Sequence, residues 1–377
     1  MQDQLHWSAG VKGVVLSSFF VGYLLFQVPG GWLARRFGGK RVLGFAVLWW
    51  SAFTLLTPAA ALVSLPVLVA ARIGMGLGEG AMFPATYGLF GQSVPAASRS
   101  RAVALLLSGV PLGTLFALST TGWIVSAWGW ASAFYLFGGV GALWALAWFT
   151  LIDEPPVAAH AAGPAVPWGA LLRSAPVWAL IINHFCSNWS LYLVLAWLPS
   201  FFRDAHGLSI ANAGLFSAGP WLTMFVTINL GGWCADRLVR ARVDLTFVRK
   251  LMQTLGLGAC AVFLWLAQGA ATPGAALLMM CGAMGGLGFT WSGWGPNHMD
   301  IAPEYAGVLM GISNTAGTIP GIVGVALTGW LVQTTGTYTS AFLLAIGVSV
   351  FGAVVWLLFA TAKRIELGGA GAGSMIQ

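Results

Sequence analysis

Apolar residues run along this chain in blocks of helix-spanning length, separated by short stretches rich in glycine, proline or charge. Val42 to Leu62, Ala102 to Ile124 and Phe342 to Thr361 are clear cases, each near the roughly 20 residues that carry a helix across a hydrocarbon core. Read this way, the pattern predicts eleven helices, over 12–34, 42–63, 66–92, 102–126, 131–152, 176–203, 212–234, 250–270, 273–298, 306–332 and 338–362. The predicted fold class is all-α, a polytopic membrane protein. The longest polar interval, Asp153 to Ala175, carries Pro155, Pro156, Pro164 and Pro167 and reads as a linker.

Composition removes the water-soluble alternatives. Only 7% of the 377 residues are charged and 58% are hydrophobic, against roughly 25% charged in an ordinary soluble domain. The net charge of +7 is not gathered into a basic run with interleaved aromatics, so nucleic acid is not an expected partner. Cys186, Cys234, Cys260 and Cys281 stand alone in apolar segments without CxxC spacing, which suggests neither a disulfide framework nor a metal site and reads as small core residues. Met1 to Gly13 is polar and lacks the charged-then-apolar order of a cleavable signal peptide.

The placement of charge says more than its total. If the loop with Arg35, Arg36, Lys40 and Arg41 is cytoplasmic, Arg99, Arg101, Arg173, Arg237, Arg240, Arg242, Arg249, Lys250, Lys363 and Arg364 fall on the same side. Only Lys12 and Arg203 fall on the other. That bias predicts the orientation and supports the helix count together.

An internal repeat is visible as well. Gly30-Gly31-Trp32-Leu33-Ala34-Arg35-Arg36 recurs as Gly231-Gly232-Trp233-Cys234-Ala235-Asp236-Arg237, an offset of 201 residues, and both copies end a helix and open a basic loop. Parallel repeats of this kind build many secondary transporters. The offset carries the counterpart of the 176–203 helix upstream of Met1. The expectation is therefore a twelve-helix parent of which this chain starts late. The expected units are an N-terminal bundle at 1–152 with five of six helices, a cytoplasmic linker at 153–175, a six-helix bundle at 176–362 and a cytoplasmic tail at 363–377.

Deep in the apolar blocks, the ionisable side chains that stand out are Arg72 and Glu79, both on the predicted 66–92 helix. Each charge costs about 2.5–3.5 kcal/mol at the centre of a spanning helix. Seven residues apart, they share one face at an axial separation of roughly 10 Å, too far to neutralise each other fully. A guanidinium stays charged and grips carboxylate or phosphate through two parallel hydrogen bonds, so an anionic substrate is the partner expected for Arg72. Glu79, set among Gly76, Gly78 and Gly80, is a carboxyl whose desolvation favours proton uptake. The competing reading is a structural ion network, with the glycines serving close helix packing.

Polar residues on other predicted helices form a second tier: Tyr23 and Gln27; Asn183, His184, Asn188, Trp189 and Tyr192; Asn297 and His298; Ser313, Asn314 and Thr318. Such groups either orient a substrate or bond neighbouring helices, and both readings stand. His184 adds a proton-relay reading, beside a plain bond to a neighbouring carbonyl. Trp49, Trp50, Trp128, Trp130 and Trp356 lie near predicted helix ends, where an interfacial belt is expected. Asp236 with Arg237 is a charge pair at a helix end of the kind that latches one conformation of a rocking bundle; the first copy of the repeat has Arg35 in that place.

The runs Ser17-Ser18-Phe19-Phe20 with Gly22-Tyr23 and Gln27, Gly78-Glu79-Gly80 with Pro84, Ser98-Arg99-Ser100-Arg101, and above all Asn297-His298-Met299-Asp300-Ile301-Ala302-Pro303 leading to Gly311-Ile312-Ser313-Asn314-Thr315-Ala316-Gly317 resemble the major facilitator superfamily, and within it the anion:cation symporter family. The resemblance covers nearly the whole chain. Gly38 to Gly44, His184-Phe185-Cys186 with Asn188-Trp189, and Ile319 to Gly329 look closest to the plant plastid phosphate branch and sialin. The resemblance implies a major facilitator fold of two related six-helix halves, with Arg72 helping to bind the anion, Glu79 coupling protons and Arg99 in a gating or structural role. From the polar residues themselves, Tyr23, His184, Asn188 and Asn314 are the expected further substrate contacts, and Asp236 and Arg237 the expected gating pair. Family members that carry glutamate have arginine where Ser187 stands and histidine where Leu16 stands, which argues against glutamate. The family's first helix usually adds an arginine for the anion, and that helix is not among those predicted here.

The function expected is secondary transport of a small organic anion such as a sugar acid, with H+ or Na+ as coupling ion and no other cofactor; inorganic phosphate is the rival substrate. The expected partners are that anion and the lipid bilayer, and the expected state is a monomer in a bacterial inner membrane or a plastid membrane. A membrane enzyme would call for a metal cluster, a nucleophile with its base or a nucleotide loop. A sensor would call for a soluble domain beyond the short tail Ile365 to Gln377.

Overall fold

The computed structural model describes residues 9–153 and 166–366, and these are helical nearly throughout. In chain order the helices are α1 (Ala9–Phe37), α2 (Gly39–Val63), α3 (Leu65–Gly80), α4 (Met82–Ser93), α5 (Arg99–Trp128), α6 (Trp130–Leu151), α7 (Trp168–Arg173), α8 (Ala175–His206), α9 (Ile210–Arg240), α10 (Leu245–Ala267), α11 (Pro273–Ile301), α12 (Ala306–Ile319), α13 (Val325–Thr335) and α14 (Thr339–Phe359). Among the described residues, ten stretches are long and apolar enough to cross a membrane. They correspond to ten of the eleven predicted blocks; the remaining block, 12–34, is covered by α1, whose 29 residues reach roughly 40 Å at the usual helical rise. The chain is a multi-pass membrane protein.

Two predicted helices are broken, each beside a proline. The 66–92 block divides at Ala81, whose amide bonds back to Gly78 O at 3.2 Å. Pro84 lacks an N–H and its ring clashes with the carbonyl four residues back, so the helix restarts as α4. In the 306–332 block, Pro320 opens a π-helical turn over Pro320–Gly324 between α12 and α13. Such bulges arise where the regular hydrogen-bond ladder is interrupted. In the expected linker, Trp168 to Arg173 form the short helix α7, while residues 154–165 with Pro155, Pro156 and Pro164 lie outside the described residues, as do 367–377 of the tail and the start at 1–8.

Burial concentrates on α8 and α11. From Ala283 to Ile301, α11 is buried at nearly every position, and α8 is buried along much of its length. Cys186 and Cys260 are buried free thiols, and Cys234 and Cys281 are half-buried ones. Trp356 departs from the interfacial expectation. It is fully buried and donates its indole N–H to Arg249 O at 3.1 Å, so it serves the core.

Candidate functional site

The position of Arg72 and Glu79 follows from the glycines of α3. A Cβ on Gly76 would strike the backbone of Phe19 and Tyr23, and one on Gly78 would strike Trp49 and Trp50. Alternate glycines thus seat α3 between α1 on one side and α2 on the other, and Trp49 Nε1 fastens the second contact by donating to Gly74 O at 2.7 Å. Arg72 and Glu79 share the α1 side with Gly76.

Arg72 is half-buried. Its guanidinium lies 5.2 Å over the Phe19 ring, one Nη contacts Met75 Sδ at 3.3 Å, and its Nε has no hydrogen-bond partner. Among the described residues no carboxylate lies within ion-pair distance of it. Glu79 acts on it electrostatically without closing the gap. Glu79 also acts electrostatically on Tyr23 of α1 and Tyr192 of α8.

The second tier divides. Asn314 Nδ2 donates to Tyr23 Oη at 3.0 Å and to Gln27 Oε1 at 2.8 Å, which ties Asn314 to the tyrosine that Glu79 acts on electrostatically. Asn188 Nδ2 donates to Gly317 O at 2.8 Å, which places it one turn along α8 from Tyr192. His184, a further turn away, contacts Ser313 Oγ at 3.1 Å and stacks against Trp294 with ring centroids 4.0 Å apart. Asn183 faces elsewhere: it donates to Ala179 O, and its Oδ1 accepts from Gln253 Nε2 at 3.0 Å, while the same Nε2 reaches Ser187 at 3.1 Å. Asn297 donates to Thr361 O at 2.8 Å. Asn183 therefore ties α8 to α10, and Asn297 ties α11 to the segment after α14. The side chain of Leu16 lies outside the described residues.

At the basic end of the bundle the gating residues make different contacts from those expected. Asp236 is fully buried and does not pair with Arg237, whose guanidinium lies 5.2 Å over the Trp233 ring. Asp236 instead accepts from the backbone amides of Ser100 and Arg101 at 3.1 and 3.0 Å and from Arg101 Nε at 3.2 Å. Those amides are unpaired donors in the first turn of α5, where a carboxylate also suits the helix dipole. The reason the adjacent pair fails is geometric, since successive residues on a helix point about 100° apart. Arg35, the repeat counterpart of Asp236, stacks on Tyr305 at 4.6 Å, just before α12 begins. A cation is repelled by a helix N-terminus and finds an aromatic face instead.

Arg99 does form an ion pair, donating from Nη1 to Asp300 Oδ1 at 3.1 Å, while Arg249 Nε donates to Asp300 Oδ2 at 2.7 Å. Arg249 Nη1 also reaches Ser100 Oγ at 2.7 Å. Asp300 and Arg249 are buried ions that the sequence reading did not single out. Their signal was Asp300 within the Asn297 to Pro303 run, which carried the resemblance without a role for the carboxylate. Around these pairs, Gly31 and Gly307 meet backbone to backbone, and a Cβ on Gly307 would strike Pro84 O. The basic end is closed.

Ten spanning stretches folded around buried polar side chains, with one end sealed by ion pairs, define the class: a multi-pass helical protein of the membrane-transporter type. A family model described as the Major Facilitator Superfamily matches residues 1–325, and the chain belongs to that superfamily, in its anion:cation symporter family. Over 97% of its length it is 41% identical to the probable anion transporter 4, chloroplastic, of Oryza sativa subsp. japonica, spanning 64% of that protein. It is 41% identical to the ascorbate transporter, chloroplastic, of Arabidopsis thaliana, spanning 70% of it, and 40% identical to that plant's sodium-dependent phosphate transport protein 1, chloroplastic, spanning 74%. The crystal structure of the E. coli fucose:proton symporter FucP has the same fold, with a TM-score of 0.77 at 13% identity, covering 95% of this chain and 93% of that one.

Proposed function

We propose that the chain is a secondary active transporter that moves a small organic anion together with H+ or Na+ by alternating access. The observation that carries the reading is Arg72, a half-buried guanidinium without a carboxylate partner among the described residues and with its Nε unbonded. A permanent charge in a spanning helix is retained at a cost, and an anion that arrives and leaves is the partner that suits it. Glu79 is the coupling group, a carboxyl able to carry an ion between the two sides, with Tyr23, Asn188 and Asn314 orienting the substrate. The bundles at 1–152 and 176–362 rock against each other, and the contacts of Asp236, Arg99, Asp300 and Arg249 hold the state in which the basic end is closed. An organic anion fits the ascorbate-transporter relative. Inorganic phosphate is the second reading, favoured by the phosphate-transport relative, and a planar guanidinium serves either anion.

The test is uptake into proteoliposomes, with labelled phosphate, ascorbate and sugar acids compared under imposed proton and sodium gradients. The reading predicts accumulation of one anion class driven by one gradient. Equal entry of every solute with and without gradients would overturn it.

A further inference from the structure

Three buried side chains from three helices form a hydrogen-bonded row that the transport reading leaves without a task. His184 Nδ1 on α8 lies 3.1 Å from Ser313 Oγ on α12, and that oxygen lies 2.7 Å from His298 Nε2 on α11. At the far side, His298 Nδ1 is 2.9 Å from the carbonyl oxygen of Gly295. A carbonyl only accepts, so Nδ1 carries the proton, and the lone pair of neutral His298 is on Nε2. The Ser313 hydroxyl therefore donates to His298, a shorter contact than its other acceptor, Met310 O at 3.3 Å. Its oxygen is then left to accept from His184 Nδ1–H. One backbone carbonyl sets the tautomer of both imidazoles and gives the row a direction.

The row also has two distinct ends. His184 begins a stripe along α8 that continues through Asn188 to Tyr192, the tyrosine within reach of Glu79, and its Nε2 faces Gly317, whose carbonyl holds Asn188. His298 is on the same helix as Asp300, which acts on it electrostatically and which holds Arg99 and Arg249. The other groups facing the row are Tyr87 of α4, edge-on to His298 with centroids 5.1 Å apart, and Trp294, stacked on His184. Tyr87 Oη and Trp294 Nε1 are buried without hydrogen-bond partners.

We propose that His184, Ser313 and His298 form a proton relay from the polar cluster to the Asp300 ion pairs, a proton-handling site separate from Glu79. A proton bound at His184 Nε2 makes an N–H bond there. The Nδ1–H bond of His184 then breaks as its proton passes to Ser313 Oγ, while the Ser313 proton passes to His298 Nε2. The products are neutral His184 with its proton on Nε2, an intact Ser313 hydroxyl, and a His298 imidazolium with both nitrogens protonated. The added positive charge stands near Asp300 and competes with Arg99 for it, which loosens the closed basic end. The relay needs the transport reading only for its purpose; its chemistry is tested without substrate.

Pulsed electron paramagnetic resonance on the full chain in nanodiscs reads the gate directly, with spin labels at F37C and F247C and the four native cysteines replaced. Both sites are exposed near the basic end. The expected result is a longer-distance population that grows as pH falls, its ratio to the closed form changing by up to about tenfold per pH unit, the limit for one linked proton. Ser313→Ala breaks the row and should abolish that pH response, and Ser313→Thr, which keeps a hydroxyl, should restore it. If Ser313→Ala does not fold, His298→Gln takes its place with the same expected loss. A pH response that survives the loss of the Ser313 hydroxyl or the His298 ring overturns the relay, as does its absence from the unsubstituted protein. Anion uptake by the same preparations tests the transport reading separately.

Discussion

The side-chain amide of Asn314 on α12 donates to the phenol oxygen of Tyr23 on α1 at 3.0 Å, joining residues 291 positions apart in the chain. The same amide satisfies Gln27 Oε1, and Gln27 Nε2 remains without a partner. Asn314→Ala therefore strips two buried acceptors of their donor at once. A buried group left unbonded costs about 1–3 kcal/mol, so the variant should melt at lower temperature and bind substrate more weakly. Tyr23→Phe removes only one of the two acceptors and should cost about 1 kcal/mol. Thermal unfolding in detergent, with KM for uptake, checks both.

Glu79→Gln keeps the shape of the side chain and removes its titration. For a proton-coupled carrier, wild-type uptake should rise as the pH on the entry side is lowered, because that side then loads the carboxyl. In the variant the dependence should be flat, with exchange of anion across the membrane retained. Uptake and counterflow measured across a pH series distinguish the two behaviours.

Asp236→Asn leaves a hydrogen-bond acceptor at the start of α5 and deletes the charge. A carboxylate at a helix N-terminus is worth about 0.3–1 kcal/mol, and up to about 2 where partly buried. The closed basic end should lose about that much, which at 1.4 kcal/mol is a tenfold shift toward the open form. Alkylation of a cysteine placed at Ser100, buried in the closed form, should accelerate accordingly when Asp236 is replaced.

Gly307 meets Pro84 and Gly31 through backbone alone. Gly307→Val puts a branched side chain where there is no room, so the basic end should be unable to close as it does here. Spin-label distances across that end should lengthen at every pH, with transport lost.

Most of the architecture is legible in the pattern of apolar blocks, because a lipid-facing helix must be apolar for nearly its whole length. Arg72 and Glu79 were legible for the same reason: a charge in such a block stands out. The breaks at Ala81 and over Pro320–Gly324 were not, since a proline within a long apolar run is also tolerated as a kink, and Pro29 and Pro111 lie inside unbroken helices. Asp300, Arg249 and Asp236 escaped notice as buried ions because they sit at helix ends, where a charge ordinarily faces water. The pairing of Asp236 with the amides of Ser100 and Arg101 joins residues more than a hundred positions apart, and no local spacing announces it. The His184–Ser313–His298 row needs three helices in register. Its members were visible singly, and only packing showed that they touch.

Equilibrium binding of the transported anion to the purified protein tests the central claim most directly. If Arg72 holds the anion, Arg72→Ala should lose binding by at least about a hundredfold, the effect of about 3 kcal/mol. Arg72→Lys should recover only part of it, since an ammonium cannot offer two parallel donors, and Glu79→Gln should bind within a few-fold of the wild type. Unchanged affinity in Arg72→Ala, in a protein shown to be folded, would contradict the account.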